Sequence, residues 1–139
     1  MTDPSFTPNL PLILARELAS NLATPMFLVD NRGLLVFYND AAEILMGKPF
    51  AELGTVDALE WGSVLQMSER DGTPVRRRYS PAGIAFAERR PSHQQLLVSG
   101  YDGVRRAVEA TAYPLLGAHD ELHGVVGVFW EAATSDGSG

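Results

Sequence analysis

Cysteine is absent from the 139 residues. That removes disulfides, thiolate metal ligands, thiol catalysis and any prosthetic group attached through sulfur. Long apolar runs are absent too. The longest stretches without Asp, Glu, Lys or Arg, Pro4 to Ala15 and Leu18 to Val29, are 12 residues each, whereas a membrane-spanning helix needs about 20. No basic residue precedes the first apolar run, and Asp3, Pro4 and Pro8 stand there instead, which does not resemble a secretory signal. Bases are scarce overall, 11 against 17 acids for a net charge of −6, which argues against nucleic acid or an anionic membrane as a partner. What is present is ordinary globular composition: 45% apolar, 20% charged, with 13 Gly and 9 Pro. The expectation is one soluble, cytoplasmic domain with a core of its own.

The few bases are unevenly placed. Arg76, Arg77, Arg78, Arg89, Arg90, Arg105 and Arg106 lie within positions 73 to 108, opposed there only by Glu88 and Asp102. Charge runs usually mark solvated element ends; the sharper reading is a basic rim that attracts an acidic partner or an anionic ligand.

Helix signals come first. After a polar lead over 1–8, Asn9 is a good N-cap and Thr24 before Pro25 a good stop, so a helix is expected over 9–23. Its polar residues Arg16, Glu17, Ser20 and Asn21 occupy an arc of roughly 140°, leaving roughly 220° apolar. That is more than one core contact requires. The sequence therefore predicts a second contact, a homodimer through Leu10, Leu14 and Leu18 with Trp130 nearby.

Met26 to Val29 and Leu34 to Tyr38 read as strands joined by an Asp30-Asn31-Arg32-Gly33 turn. Asp40 with Glu43 resembles a capping box, and Gly47 closes the short helix that follows. Pro49 to Leu53 suggests another helical turn, and Thr55 to Val64 is weakly helical. Ser80-Pro81 begins a helix that runs to Glu88. Three strands follow: Ser92 to Val98, Val104 to Tyr113 and Gly124 to Glu131. Strand groups separated by helices indicate an α+β antiparallel sheet, within a core over 24–131 and before a tail over 132–139.

The stretch Pro25-Met26-Phe27-Leu28-Val29-Asp30-Asn31-Arg32-Gly33-Leu34-Leu35-Val36-Phe37-Tyr38-Asn39-Asp40-Ala41-Ala42-Glu43 resembles the opening hairpin and first helix of a PAS domain, a sensory module of bacterial signalling proteins. Leu45-Met46-Gly47, Phe50-Ala51-Glu52-Leu53-Gly54, Ala112-Tyr113-Pro114-Leu115 and Gly124-Val125-Val126-Gly127-Val128 fall in the family's order and spacing. The resemblance covers about positions 20 to 131. It implies five antiparallel strands in the order 2-1-5-4-3, with short helices enclosing a cavity on one face; the apolar N-terminal helix is the expected cover of the other. It also implies sensing, ligand holding or dimerisation, and no catalysis. The last strand departs from the family: it ends in Trp130-Glu131-Ala132, where many members carry an Asp-Ile-Thr-like signature coupled to an effector. Either the chain is an excised domain, or it signals by binding a separate protein.

A ligand is expected on the face toward the short helices, between Tyr38, Leu45, Ile84, Phe86 and Leu97. Its identity is open. Cysteinyl-flavin and thioester chromophores are excluded by the missing thiol. A haem would need His93 as axial ligand, since the helix before the third strand has no histidine. A noncovalent flavin would draw on Gln94, Gln95, Trp61 and Trp130. An apolar or amphipathic ligand such as a fatty acid would place its carboxylate near the arginines. His119 and His123 could hold a metal weakly. An α+β cone isomerase or hydratase would need a buried acid–base pair, but Asp30, Asp40 and Glu43 each have a turn or cap role. No nucleophile elbow, phosphate loop, dinucleotide fingerprint or zinc signature occurs.

Overall fold

The structure, a computed structural model, describes residues 9–132; the expected lead over 1–8 and nearly all of the tail lie outside them. Asn9 begins helix α1 (Leu10–Ser20), its Oδ1 accepting from Leu12 N at 3.1 Å. The helix stops short of the expected residue 22 or 23. Asn21 folds its side chain back onto Glu17 O, and its own N–H and that of Leu22 bond to Leu18 O and Ala19 O, which closes the last turn.

Strands β1 (Met26–Asp30) and β2 (Leu34–Tyr38) follow as a hairpin. Asp30 is buried and shapes the turn: its carboxylate accepts from the backbone N–H of Arg32 and Leu34 and from the Arg32 guanidinium at 2.7 Å. Gly33 takes φ +87°, a conformation that costs a side-chain-bearing residue far more. Four short helices come next, interrupted by one short strand: α2 (Asp40–Met46), α3 (Phe50–Leu53), β3 (Val56–Asp57), α4 (Ala58–Leu65) and, after a 3₁₀ turn at Arg77–Tyr79, α5 (Pro81–Glu88). The chain ends in β4 (Ser92–Ser99), β5 (Arg105–Leu116) and β6 (Leu122–Glu131). None of the described helices is long and apolar enough to cross a membrane.

The sheet is antiparallel and has six strands in the order β3-β2-β1-β6-β5-β4. This corrects the expected count of five strands: a sixth is added at the edge, outside the order 2-1-5-4-3 expected of the other five. The additional member, β3, is two residues long and pairs with Leu34 and Leu35 at the edge of β2. A two-residue strand has no alternation for the sequence to display.

The two faces of the sheet bury different clusters. Phe27, Val29, Val125 and Phe129 pack with α2, α4 and α5, while Met26, Leu28 and Val126 pack beneath α1 around Ala19. In β2 the alternation breaks. Leu28 pairs with Phe37 and Val29 with Leu35, so Val36 is bulged, and Leu35 and Tyr38, three positions apart, both reach the inner core. Trp130, named above beside the leucines of α1, is not covered by that helix. It is 38% exposed, its ring centroid 5.9 Å from that of His93.

Asn39 joins the layers. Its side-chain Nδ2 donates to Ala19 O and Thr24 O, both at 2.9 Å, and its Oδ1 accepts from Met26 N and Ala42 N, both at 3.0 Å. The end of α1, the start of β1 and the first turn of α2 thus meet on one buried amide.

Candidate functional site

Between the inner face of the sheet and α4 and α5 lies a cavity of about 460 Å³, within the range of about 300–1,000 Å³ typical of small-molecule sites. Its buried wall is apolar: Phe27 and Val29 from β1, Met46 from α2, Trp61 and Leu65 from α4, Leu96 from β4, Val108 from β5 and Phe129 from β6. Trp61 is fixed from both sides, edge-on to Phe27 at 5.0 Å and stacked on Tyr38 at 6.1 Å. Its Nε1 is buried without an acceptor among the described residues.

The exposed lining residues mark where the cavity meets solvent: Arg32, Asp57, Leu59, Arg77, Arg78 and Ala87. Arg32 is engaged by Asp30, and Asp57 caps α4 through Leu59 N. The Arg77 stem lies against Gly62, and its Nη1 donates to Leu59 O at 3.0 Å and Ser63 Oγ at 3.1 Å. Ser80 caps α5 by accepting from Gly83 N, while its hydroxyl donates to Arg77 O. Two helix starts therefore hold the arginine turn at the mouth. Among the described residues, neither Arg77 nor Arg78 forms an ion pair.

Three other arginines of the basic run serve elsewhere. Arg90 meets Glu88, and Arg105 donates to Ser68 and Ser99. Arg106 reaches Leu45 O and Asp102, and that bond, with Val104 N–H, holds the Asp102 carboxyl below the usual range.

Of the five expected pocket residues, Phe86 lines the cavity. Tyr38 is fully buried beside it, and its hydroxyl donates to Lys48 O at 2.6 Å. Burial, with Tyr101, Glu43 and Glu52 nearby, pushes that hydroxyl up to about 12. Leu45 packs at the edge of the inner core. Ile84 is half-buried on α5, and Leu97 alternates away from Leu96 and Val98, the two β4 residues that line the cavity. On α1, Leu10, Leu14 and Leu18 are 59%, 58% and 57% exposed.

Of the lining residues, the sequence reading named Trp61 only for a flavin and Arg77 and Arg78 only as part of a basic rim, and it missed Arg32. A signal was available: the arginines lie directly before the Ser80-Pro81 helix start, so they end up beside whatever α5 covers.

Haem does not fit this cavity. No histidine lines it among the described residues, and the ring of His93 is engaged on the opposite sheet face, with Thr111 and with Glu109 at 3.0 Å. A flavin fits poorly as well, because its polar ring edge calls for hydrogen-bonding side chains from the wall. Of the four residues considered for it, only Trp61 lines the cavity. Gln94 donates to Tyr79 O, Gln95 accepts from Arg70, and Trp130 is outside. The uncharged polar lining residues, Ser80 and Thr111, have their hydroxyls engaged. His119 and His123 do not gather a metal site: no group of three suitable side chains occurs among the described residues.

No protein-family model matches the sequence, and no curated protein does. Solved structures do match. A light-oxygen-voltage protein of Rhodobacter sphaeroides superposes with a TM-score of 0.71 at 15% identity, over 92% of this chain and 71% of that one. A PAS domain from Colwellia psychrerythraea gives 0.62 at 14% identity, over 87% and 96%. The fungal blue-light photoreceptor Vivid, solved as its light-state dimer, gives 0.60 at 14% identity, over 94% and 99%. At these identities the likeness concerns architecture. The fold, an antiparallel sheet with short helices closing a cavity on one face, is the PAS fold.

Proposed function

We propose that this chain is a PAS-type sensory module that holds a small ligand between its sheet and short helices and acts as a homodimer through α1, without catalysis. The cavity carries this reading: about 460 Å³, walled by apolar side chains from four strands and three helices and open at an arginine turn. A core serving stability alone closes such space, because unfilled volume costs contacts. The dimer is supported by the stripe of Leu10, Leu14 and Leu18, each more than half exposed and four residues apart on one helix. Leaving that surface in water costs about 25 cal/mol for each Å², and a second copy of α1 removes it symmetrically. Output then passes to a separate signalling protein through the paired helices.

Mass spectrometry of an extract from the denatured, purified protein tests the ligand. A stoichiometric small molecule supports the reading; a protein that neither carries nor takes up any small molecule overturns it. Light scattering at micromolar concentration tests the dimer, and a particle of 15.1 kDa, the mass of one chain, ends that part.

A further inference from the structure

The cavity joins two unlike environments. The buried wall is aliphatic and aromatic, while the solvent side carries Arg32, Arg77 and Arg78 against Asp57. The charges there do not cancel. Asp30 answers Arg32, and Asp57 caps α4 without an ion pair among the described residues. By formal count three guanidiniums stand against two carboxylates, one positive charge in excess at the opening. That charge is best assigned to Arg78. Arg77 is held by Leu59 O and Ser63 Oγ, whereas Arg78 is exposed, with no acid partner among the described residues and its guanidinium carbon 5.8 Å from the Tyr79 ring.

We propose that the ligand is an amphipathic monoanion, an aliphatic carboxylic acid, whose chain fills the cavity along Phe27, Trp61, Phe86 and Phe129 while its carboxylate meets Arg78 at the mouth. The inference rests on the ligand-holding reading above and names its chemical class. An aliphatic chain makes no hydrogen-bond demand on a wall whose hydroxyls are already engaged. A carboxylate suits a guanidinium that offers paired N–H donors. A doubly charged head group would exceed the excess charge available, and a cationic amphiphile would meet Arg77 and Arg78 with the wrong sign. Arg77, fixed in place, adds to the field without giving up its own bonds.

The test is titration calorimetry of the full, delipidated chain with dodecanoate, dodecanol and dodecyltrimethylammonium, with Trp61 emission as a second readout. Dodecanoate is expected to bind most tightly and the cation least. Arg78→Gln should weaken dodecanoate roughly fivefold, the scale of an exposed charge pair, leave dodecanol unchanged, and be partly rescued by Arg78→Lys. Raising the salt concentration should weaken dodecanoate alone. If dodecanol matches dodecanoate and Arg78→Gln alters neither, the carboxylate assignment falls while the ligand-holding cavity stands. If none of the three binds or changes Trp61 emission, the cavity reading falls and takes this inference with it.

Discussion

The two faces of the sheet are covered in opposite ways. On the inner face, helices of seven, four, eight and eight residues (α2, α3, α4 and α5) approach from different directions and leave a cavity of about 460 Å³. On the outer face a single helix of 11 residues lies over β1 and β6 and brings Ala19 to 0% exposure, while its own far side stays in water. Short helices present too few turns for continuous ridges to mesh with a sheet, so gaps remain between them. One longer helix meshes well beneath and exposes its far side instead. The inner face therefore has room for a small molecule, and the outer face has surface for another chain.

The comparison can be broken most severely at the amide that joins the layers. Asn39→Asp would set a carboxylate against the carbonyls of Ala19 and Thr24 where two N–H donors now point. A loss of about 4 kcal/mol is expected, from buried acceptors left unpaired and a charge buried beside them, read as a lower urea midpoint at unchanged slope.

A smaller loss tests how tightly the inner face is filled next to the cavity. A methyl on Gly127 would overlap the ring of Phe27. Gly127→Ala should cost about 2 kcal/mol by overpacking, and because Phe27 lines the cavity the same change should weaken any ligand. Unchanged stability would show that the ring swings freely into the space.

The outer face is tested by Leu14→Glu with Leu18→Glu. Both side chains are more than half exposed, so the fold should survive, with unchanged circular dichroism. Dimerisation should weaken roughly thirtyfold, the effect of losing one central contact of about 2 kcal/mol. Sedimentation velocity distinguishes this from unfolding.

The smallest effect concerns Tyr38. Its hydroxyl is pushed up to about 12 by burial, so the folded state keeps the proton over a range in which the unfolded chain, at about 10, gives it up. The contribution is complete below about pH 10 and is lost as pH rises through about 12. Tyr38→Phe should flatten that alkaline decline in the urea midpoint and cost about 1 kcal/mol near neutrality, the hydrogen bond to Lys48 O.

Local backbone chemistry was legible in the sequence. Asn9 and Ser80 cap helices, and Gly33 and Gly47 take positive φ, because each acts through its own turn. The cap of α2 is Asn39, one residue before the expected Asp40, and Glu43 accepts from Phe50 N instead of closing a capping box. Side-chain direction was less legible. The Val36 bulge places Leu35 and Tyr38 on one face against simple alternation, and Leu97 alternates away from the two β4 residues of the cavity wall, Leu96 and Val98. Strands apolar on both faces carry no mark of which is inward. The cavity itself was implied by family resemblance, yet its composition depended on how α4 and the Arg77–Arg78 turn fold over the sheet. That is a long-range matter, which neither periodicity nor capping encodes.

The amide of Asn39 has a consequence for how the two sides of the sheet are coupled. All four of its hydrogen-bonding positions are filled, and none of its partners is charged. A joint built from neutral groups has no electrostatic lever, so neither proton concentration nor ionic strength alters its grip. Any coupling between α2 and α1 at this point would be mechanical, a shift of α2 carried as a shift of the carbonyls at the end of α1. In mechanical terms the junction is a hinge pin.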